Sequence, residues 1–369
     1  MKILYVITTT DVGGAEKALA RLAVDCAKTN QVRVISLRQL GPVAQELQTA
    51  GVEVISFNRC WNSRGIVAKL KKEIQKFSPD IVHAMLYQAM QYSRLACAGT
   101  KVKLICTPHF DLSKKTFLLR LVDKLLSPVD YLTVAESFAT AKYLVEKQKY
   151  RKDKVYFLPN GVDKKVFFSD DSLRAQMRNK YQIASQETVF ISVGRLVPAK
   201  NPLTLLIAFR NVLRNGKAGR LIYVGEGKER AKLEHYIVQN QLQKQVILAG
   251  EQDNVNAWLN AADVFVLPSV EECLPLSLLE AVTVGLPCII SRVGDMPLWV
   301  EHGKNGFVIK PGDVTLLSCL MEELIVNKTL RVQMGKNSIA VSERIGQTSQ
   351  QYQHLYQQVL TDSFHVKTN

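Results

Sequence analysis

Two glutamates, Glu272 and Glu280, stand with seven residues between them in the stretch Pro268-Ser269-Val270-Glu271-Glu272-Cys273-Leu274-Pro275-Leu276-Ser277-Leu278-Leu279-Glu280-Ala281-Val282-Thr283-Val284-Gly285-Leu286-Pro287. The apolar run Ala261-Ala262-Asp263-Val264-Phe265-Val266-Leu267 comes just before them and has the character of a buried strand. Pro275 is suited to open the helix that follows, and Gly285 to close it. Glu272 then falls in a loop at the strand's carboxyl end and Glu280 in an early helical turn. Open α/β sheets bind ligands at such strand ends. Paired carboxylates there either grip polyhydroxyl groups or do acid–base work.

Positive charge gathers in a second segment. Gly194-Arg195-Leu196-Val197-Pro198-Ala199-Lys200-Asn201-Pro202 follows a strand and precedes a helix that Asn201 can cap and Pro202 can begin. Unpaired amides at a helix start, with Arg195 and Lys200 alongside, form an anion site, although a solvated loop would read the same way. Gly225-Glu226-Gly227 and Gly13-Gly14-Ala15-Glu16 are two further glycine loops between a strand and a helix. Glycine lets a ligand approach the backbone closely, and a tight turn explains either loop equally well. His109, in Thr107-Pro108-His109-Phe110, sits just past a strand's carboxyl end, and His83 ends its strand in a similar way. No spacing of His, Cys and carboxylates suggests a metal cage.

Alternating segments must position these residues. In the first half, strands are predicted over residues 2–8, 32–37, 52–57, 81–83, 101–107, 131–135 and 155–158, with helices over 15–28, 66–77 and 117–126. The pattern restarts with strands over 189–193, 220–224, 246–248, 264–267, 288–291 and 306–309. Helices over 202–213, 229–240, 254–261, 275–284 and 316–326 separate them. Strands alternating with helices mean parallel βαβ units. The fold class is therefore α/β with two doubly wound domains: residues 1–165, residues 166–345, and a tail over 346–369. The polar stretch 164–186 is read as the boundary, and the tail as a helix that packs back on the first domain.

The chain has 369 residues, 47% hydrophobic and 22% charged, enough for two sizeable cores. No apolar run reaches the length of a membrane span. Residues 1–7 are apolar like the core of a signal peptide, but the run is short and leads into Thr8-Thr9-Thr10-Asp11, which fits a first strand. The seven cysteines (26, 60, 97, 106, 273, 288 and 319) are scattered and odd in number, which suggests buried free thiols in a reducing cytoplasm.

The charge is uneven. Residues 1–165 carry 27 Lys and Arg against 14 Asp and Glu, whereas residues 166–369 carry 21 against 19. A basic half implies an anionic partner, such as a membrane surface, a phosphorylated acceptor or a nucleic acid; an ordinary solvated surface is the alternative. Within that half, residues 114–126 (Lys-Lys-Thr-Phe-Leu-Leu-Arg-Leu-Val-Asp-Lys-Leu-Leu) mix cations and apolar residues at helical spacing. Such a segment either lies on an anionic membrane or half-buries itself in the fold. A nucleic-acid binder is disfavoured, since no recognised binding motif or aromatic strip appears.

Together these pieces resemble glycosyltransferase family 4, the retaining nucleotide-sugar transferases of the two-domain GT-B fold, whose sheets face a central cleft. The resemblance also runs through Pro159-Asn160-Gly161-Val162-Asp163, Ala262 to Ser269, and Asn305-Gly306. It implies transfer of a sugar, UDP-linked above all, to a glycan or lipid-linked acceptor in cell-surface polysaccharide, lipopolysaccharide or glycolipid synthesis. The enzyme would be cytoplasmic, or peripheral on the cytoplasmic face of the membrane. Arg195 and Lys200 would hold the donor diphosphate, beside Gly225. Glu280 would hold the ribose hydroxyls and Glu272 the donor sugar. Gly13 and Gly14 would approach the sugar and diphosphate, and His109 the reacting sugar, so that His109 and Glu272 are the catalytic candidates. No cofactor or metal is expected, because two cations can neutralise a diphosphate leaving group. An epimerase or hydrolase acting on sugar nucleotides is the rival on the same architecture. The chain departs from the family pattern at Cys273 and Pro275, where glycines are frequent, and at Leu298, where Gly-x-Pro-Glu would place a carboxylate.

Overall fold

The computed structural model describes residues 1–58, 65–109, 112–361 and 363, so Cys60 and Phe110 lie outside the described residues. The chain divides into two units, Met1–Asn160 with Thr348–Asn369, and Gly161–Gln347. The first is built on seven strands: β1 (Lys2–Ile7), β2 (Gln31–Ser36), β3 (Glu53–Ser56), β4 (Ile81–Met85), β5 (Lys103–Thr107), β6 (Leu132–Ala135) and β7 (Val155–Phe157). All pairings are parallel, in the order β3-β2-β1-β4-β5-β6-β7. Helices α1 (Gly14–Ala27), α2 (Pro42–Thr49), α3 (Ile66–Phe77), α4 (Tyr87–Cys97), α5 (Phe117–Leu126) and α6 (Phe138–Glu146) connect them. Strand β1 shows why both faces need cover: Ile3, Tyr5 and Ile7 join one core with α1, and Leu4 and Val6 join another with α3 and α4.

The second unit has six parallel strands: β8 (Thr188–Val193), β9 (Gly219–Val224), β10 (Val246–Leu248), β11 (Val264–Leu267), β12 (Cys288–Ser291) and β13 (Gly306–Ile309). Their order is β10-β9-β8-β11-β12-β13. Helices α7 (Asp171–Lys180), α8 (Pro202–Arg214), α9 (Arg230–Gln239), α10 (Val255–Ala261), α11 (Leu276–Val284), α12 (Val314–Val326) and α13 (Lys328–Ser342) cover the two faces. Phe190 of β8 packs with α8 and α12, while Val189 and Ile191 pack with α10 and α11. The last helix, α14 (Thr348–Leu360), belongs to the first unit, where Tyr352, Leu355, Tyr356 and Val359 enter the core beneath β1 and α1.

Several sequence expectations change. The stretch 164–186 is not a linker: it contains α7, whose Arg174 and Arg178 bond Asp263 at 2.6 and 3.2 Å and so tie the helix to the second unit. His83 does not face a ligand. It is fully buried, with Nδ1 2.6 Å from the Tyr356 hydroxyl and Nε2 2.8 Å from Thr107 Oγ1, and burial lowers its pKa to about 3. Asn201 does not cap α8 with its side chain. It adopts φ 52°, and its Oδ1 accepts from Thr204 Oγ1 at 2.9 Å. Cys26, Cys97, Cys106 and Cys288 are buried free thiols, but Cys273 is half-buried and Cys319 exposed.

Candidate active site

The order of the second sheet marks where a ligand belongs. From β8 the chain steps to β9 and β10 on one side, then returns to place β11 on the other. Adjacent loops leave in opposite directions at that switch, which opens a crevice at the carboxyl ends of β8 and β11. Both predicted charge clusters meet there. The loop after β8 carries Arg195 and, after a 3-10 turn (Pro198–Lys200), Lys200. The loop after β11 carries Glu272. The Lys200 ammonium contacts Glu272 Oε1 directly, and Ser269 Oγ donates to the same oxygen at 2.9 Å.

Backbone bonds fix the two loops against each other: Val270 N–H donates to the Ala199 carbonyl at 2.9 Å. The loop after β9 locks in from the other side, Leu196 N–H to Glu226 O at 2.8 Å and Glu229 N–H to Leu196 O at 2.9 Å. Gly225 has φ 137°, and a Cβ there would run into the Gly194 carbonyl, so that only glycine fits where the two loops touch. Glu226 is held by Arg230, which also reaches Glu234 at 2.7 Å. Arg195 is exposed, with no ion-pair partner among the described residues, and lines a narrow crevice with Gly194, Leu196, Lys200 and Leu267.

Pro275 precedes α11 in extended conformation as its cap, and Gly285 ends the helix at φ 90°. The helix is buried on almost every side, and Glu280, its fifth residue, is a carboxylate on this apolar rod. The divergent turn Gly294-Asp295-Met296-Pro297-Leu298 lies against the Glu272 loop. Asp295 N–H donates to the Cys273 carbonyl at 2.8 Å, and Leu298 is exposed. The sequence reading marks this turn only for its departure at Leu298, and it gives Ser269 no role in the site.

In the first unit the switch lies between β1 and β4. The Gly13-Gly14 loop follows β1; Gly13 caps α1 in extended conformation, and an added Cβ would meet the Glu16 carboxylate. Past β5, His109 adopts φ 52°, and its Nδ1 contacts Glu136 Oε2. Its Nε2 is buried and has no hydrogen-bond partner among the described residues. Leu86, just past β4, has φ 71° and ψ 155°, a region that side chains rarely adopt. Positive-φ backbone outside glycine thus recurs just past β4 and β5, and no sequence signal announced it at Leu86. Among the described residues no three of His, Cys, Asp and Glu come together as a metal cage.

Two units of this kind, each a parallel sheet with helices on both faces, are the GT-B architecture. The same fold occurs in Anabaena Alr3699/HepE, solved in complex with UDP and glucose (TM-score 0.85, 21% identity, 97% of this chain and 99% of that one). Family models described as Glycosyltransferase Family 4 and Glycosyl transferases group 1 match residues 12–166 and 174–341. The N-acetyl-alpha-D-glucosaminyl L-malate synthase of Bacillus anthracis is 27% identical over 307 residues, covering 80% of this chain and 79% of that protein. The Escherichia coli UDP-Gal:alpha-D-GlcNAc-diphosphoundecaprenol alpha-1,3-galactosyltransferase is 32% identical over 187 residues, covering 50% and 48%, about half of each. The chain belongs to the family 4-type glycosyltransferases. It is therefore a glycosyltransferase, an enzyme that transfers a sugar.

Proposed function

We propose that the chain transfers a sugar from a UDP-linked donor to a lipid-linked or glycan acceptor with retention at the anomeric carbon, without a metal, at the cytoplasmic face of a membrane. The observation that carries this reading is the contact of Lys200 with Glu272 at the β8/β11 switch, with Arg195 lining the same crevice. The UDP in the Anabaena structure and the UDP-Gal and diphosphoundecaprenol in the Escherichia coli enzyme's name support the donor and acceptor classes.

In this reading Arg195 and Lys200 take the diphosphate, whose charge grows as the bond from the anomeric carbon to the phosphate oxygen breaks. The acceptor oxygen bonds to that carbon on the same face, and its proton passes to the departing phosphate oxygen. Glu272 is not the nucleophile. Its carboxylate is engaged by Lys200 and Ser269, an arrangement suited to orienting a sugar hydroxyl. Glu280 serves the ribose hydroxyls, Gly225 gives the donor close access to the backbone, and Gly13, Gly14 and His109 serve the reacting sugar.

The test is thermal unfolding of the wild type and Lys200→Ala with UDP, GDP, ADP and their sugars. Stabilisation by the uridine compounds, lost in Lys200→Ala together with about 10²–10³-fold in turnover, is expected. A uridine response that survives the substitution would remove Lys200 from the donor site. A response to guanosine compounds alone would change the donor class.

A further inference from the structure

Helix α5 is built the wrong way round for a globular protein. At 3.6 residues per turn, Phe117, Leu118, Leu121 and Leu125 fall within an arc of about 100°, and Asp123 lies opposite the middle of that arc. An amphipathic helix ordinarily turns such an arc toward the core. Here Asp123 is the one buried residue of the helix, while Phe117, Leu118 and Leu125 are 73%, 66% and 68% exposed. Single exposed leucines need no explanation; an aligned set does.

The inversion is held by polar bonds. Asp123 accepts from Arg94 Nη1 at 2.7 Å, from Gln91 Nε2 at 2.9 Å and from the Tyr150 hydroxyl at 2.5 Å. The Tyr87 hydroxyl donates to the Leu119 carbonyl at 2.8 Å. Arg94 is itself fully buried and anchored by Asp130 at 2.6 Å. The apolar face is therefore preformed rather than assembled on contact. Cations flank it: Arg120 and Lys124 at the edge of the arc, Lys114 and Lys115 just before the helix, in a half of the chain with 27 basic against 14 acidic residues.

We propose that α5 is a preformed docking helix for an anionic lipid bilayer, with its apolar arc in the acyl–headgroup boundary and its cations among lipid phosphates. The geometry stands by itself; its purpose rests on the lipid-linked acceptor proposed above, whose lipid this face would meet. Charge complementarity selects the bilayer over a second copy of the chain, which would bring like-charged rims together.

The experiment is co-sedimentation of the full chain with vesicles of phosphatidylcholine alone or mixed with phosphatidylglycerol, at low and high salt. The comparison variant is Leu118→Ser/Leu125→Ser, and the UDP thermal shift is recorded on the same samples. Binding to the mixed vesicles at low salt, weakened by salt and by about tenfold or more in the variant, is expected. No binding at low salt, equal binding of the variant, or a lipid-free dimer that the variant dissolves would each overturn the proposal. Loss of the UDP response with vesicle binding intact would instead sink the donor reading and leave the docking helix standing.

Discussion

Glu272 has two partners, Lys200 and Ser269, before any ligand arrives, so a donor entering this crevice exchanges one set of charged contacts for another instead of meeting a bare carboxylate. His109 is the complementary case. Its Nδ1 is committed to Glu136, and its buried Nε2 has no partner among the described residues. A carboxylate on Nδ1 fixes that proton and leaves Nε2 as an acceptor, which suits a sugar hydroxyl. Glu136→Gln can offer an N–H to Nδ1 and turn Nε2 into a donor. We expect kcat to fall by about tenfold or more with little change in KM for the donor, since a wrong tautomer damages turnover more than binding. Steady-state kinetics across pH would check this; an unchanged kcat would leave Glu136 a purely structural neighbour.

At the scale of elements, the group under α5 is a buried ion network rather than a hydrophobic contact. Burial works against the Arg94 charge, but Asp130 together with Cys106 and Tyr150 more than offsets that penalty, so the guanidinium is held firmly protonated. Burial raises the Tyr150 phenol well above its ordinary range and keeps it a donor to Asp123. Arg94→Met leaves two carboxylates, Asp123 and Asp130, with no cation inside the fold. The cost is expected at about 3–5 kcal/mol, read from urea unfolding. A loss below about 1 kcal/mol would show that the network is not what holds α5 inverted.

For the whole molecule, the notable event is the return of α14 to the first unit. A chain of hydroxyls marks the seam: Tyr356 donates to Tyr5 at 3.2 Å and lies 2.6 Å from His83, whose other nitrogen meets Thr107. His83 titrates near pH 3 in the fold against 6.5 in the open chain, so between those values the unfolded state binds more protons. Its contribution to stability is complete above about pH 6.5 and is lost as the pH falls toward 3. Calorimetry from pH 7 to pH 4.5 should show a larger fall in Tm for the wild type than for His83→Gln. Parallel curves would mean that other groups govern the acid limb. Among the described residues no helix is long and apolar enough to cross a membrane.

The sequence by itself determined the alternation of strands and helices. Buried parallel strands are continuous apolar runs, and 246–248, 264–267, 288–291 and 306–309 are found with those bounds. It also brought forward Lys200 and Glu272, since βα loops carry both and the switch point collects them. Helices α2, α4, α6, α7 and α13 were not read from the sequence, and for α4 and α7 the structure shows a reason. These two are tied down by Arg94, Arg174 and Arg178 reaching carboxylates far along the chain, which no local periodicity encodes. Only the tertiary structure decided that Asn201 takes a left-handed conformation instead of capping with its side chain, that His83 is core, that His109 keeps a buried Nε2 without a partner among the described residues, and that the apolar face of α5 points outward. Apart from Asn201, whose partner Thr204 is local, each of these depends on which distant residue sits opposite, and that partner is supplied by the tertiary fold rather than by the neighbouring sequence.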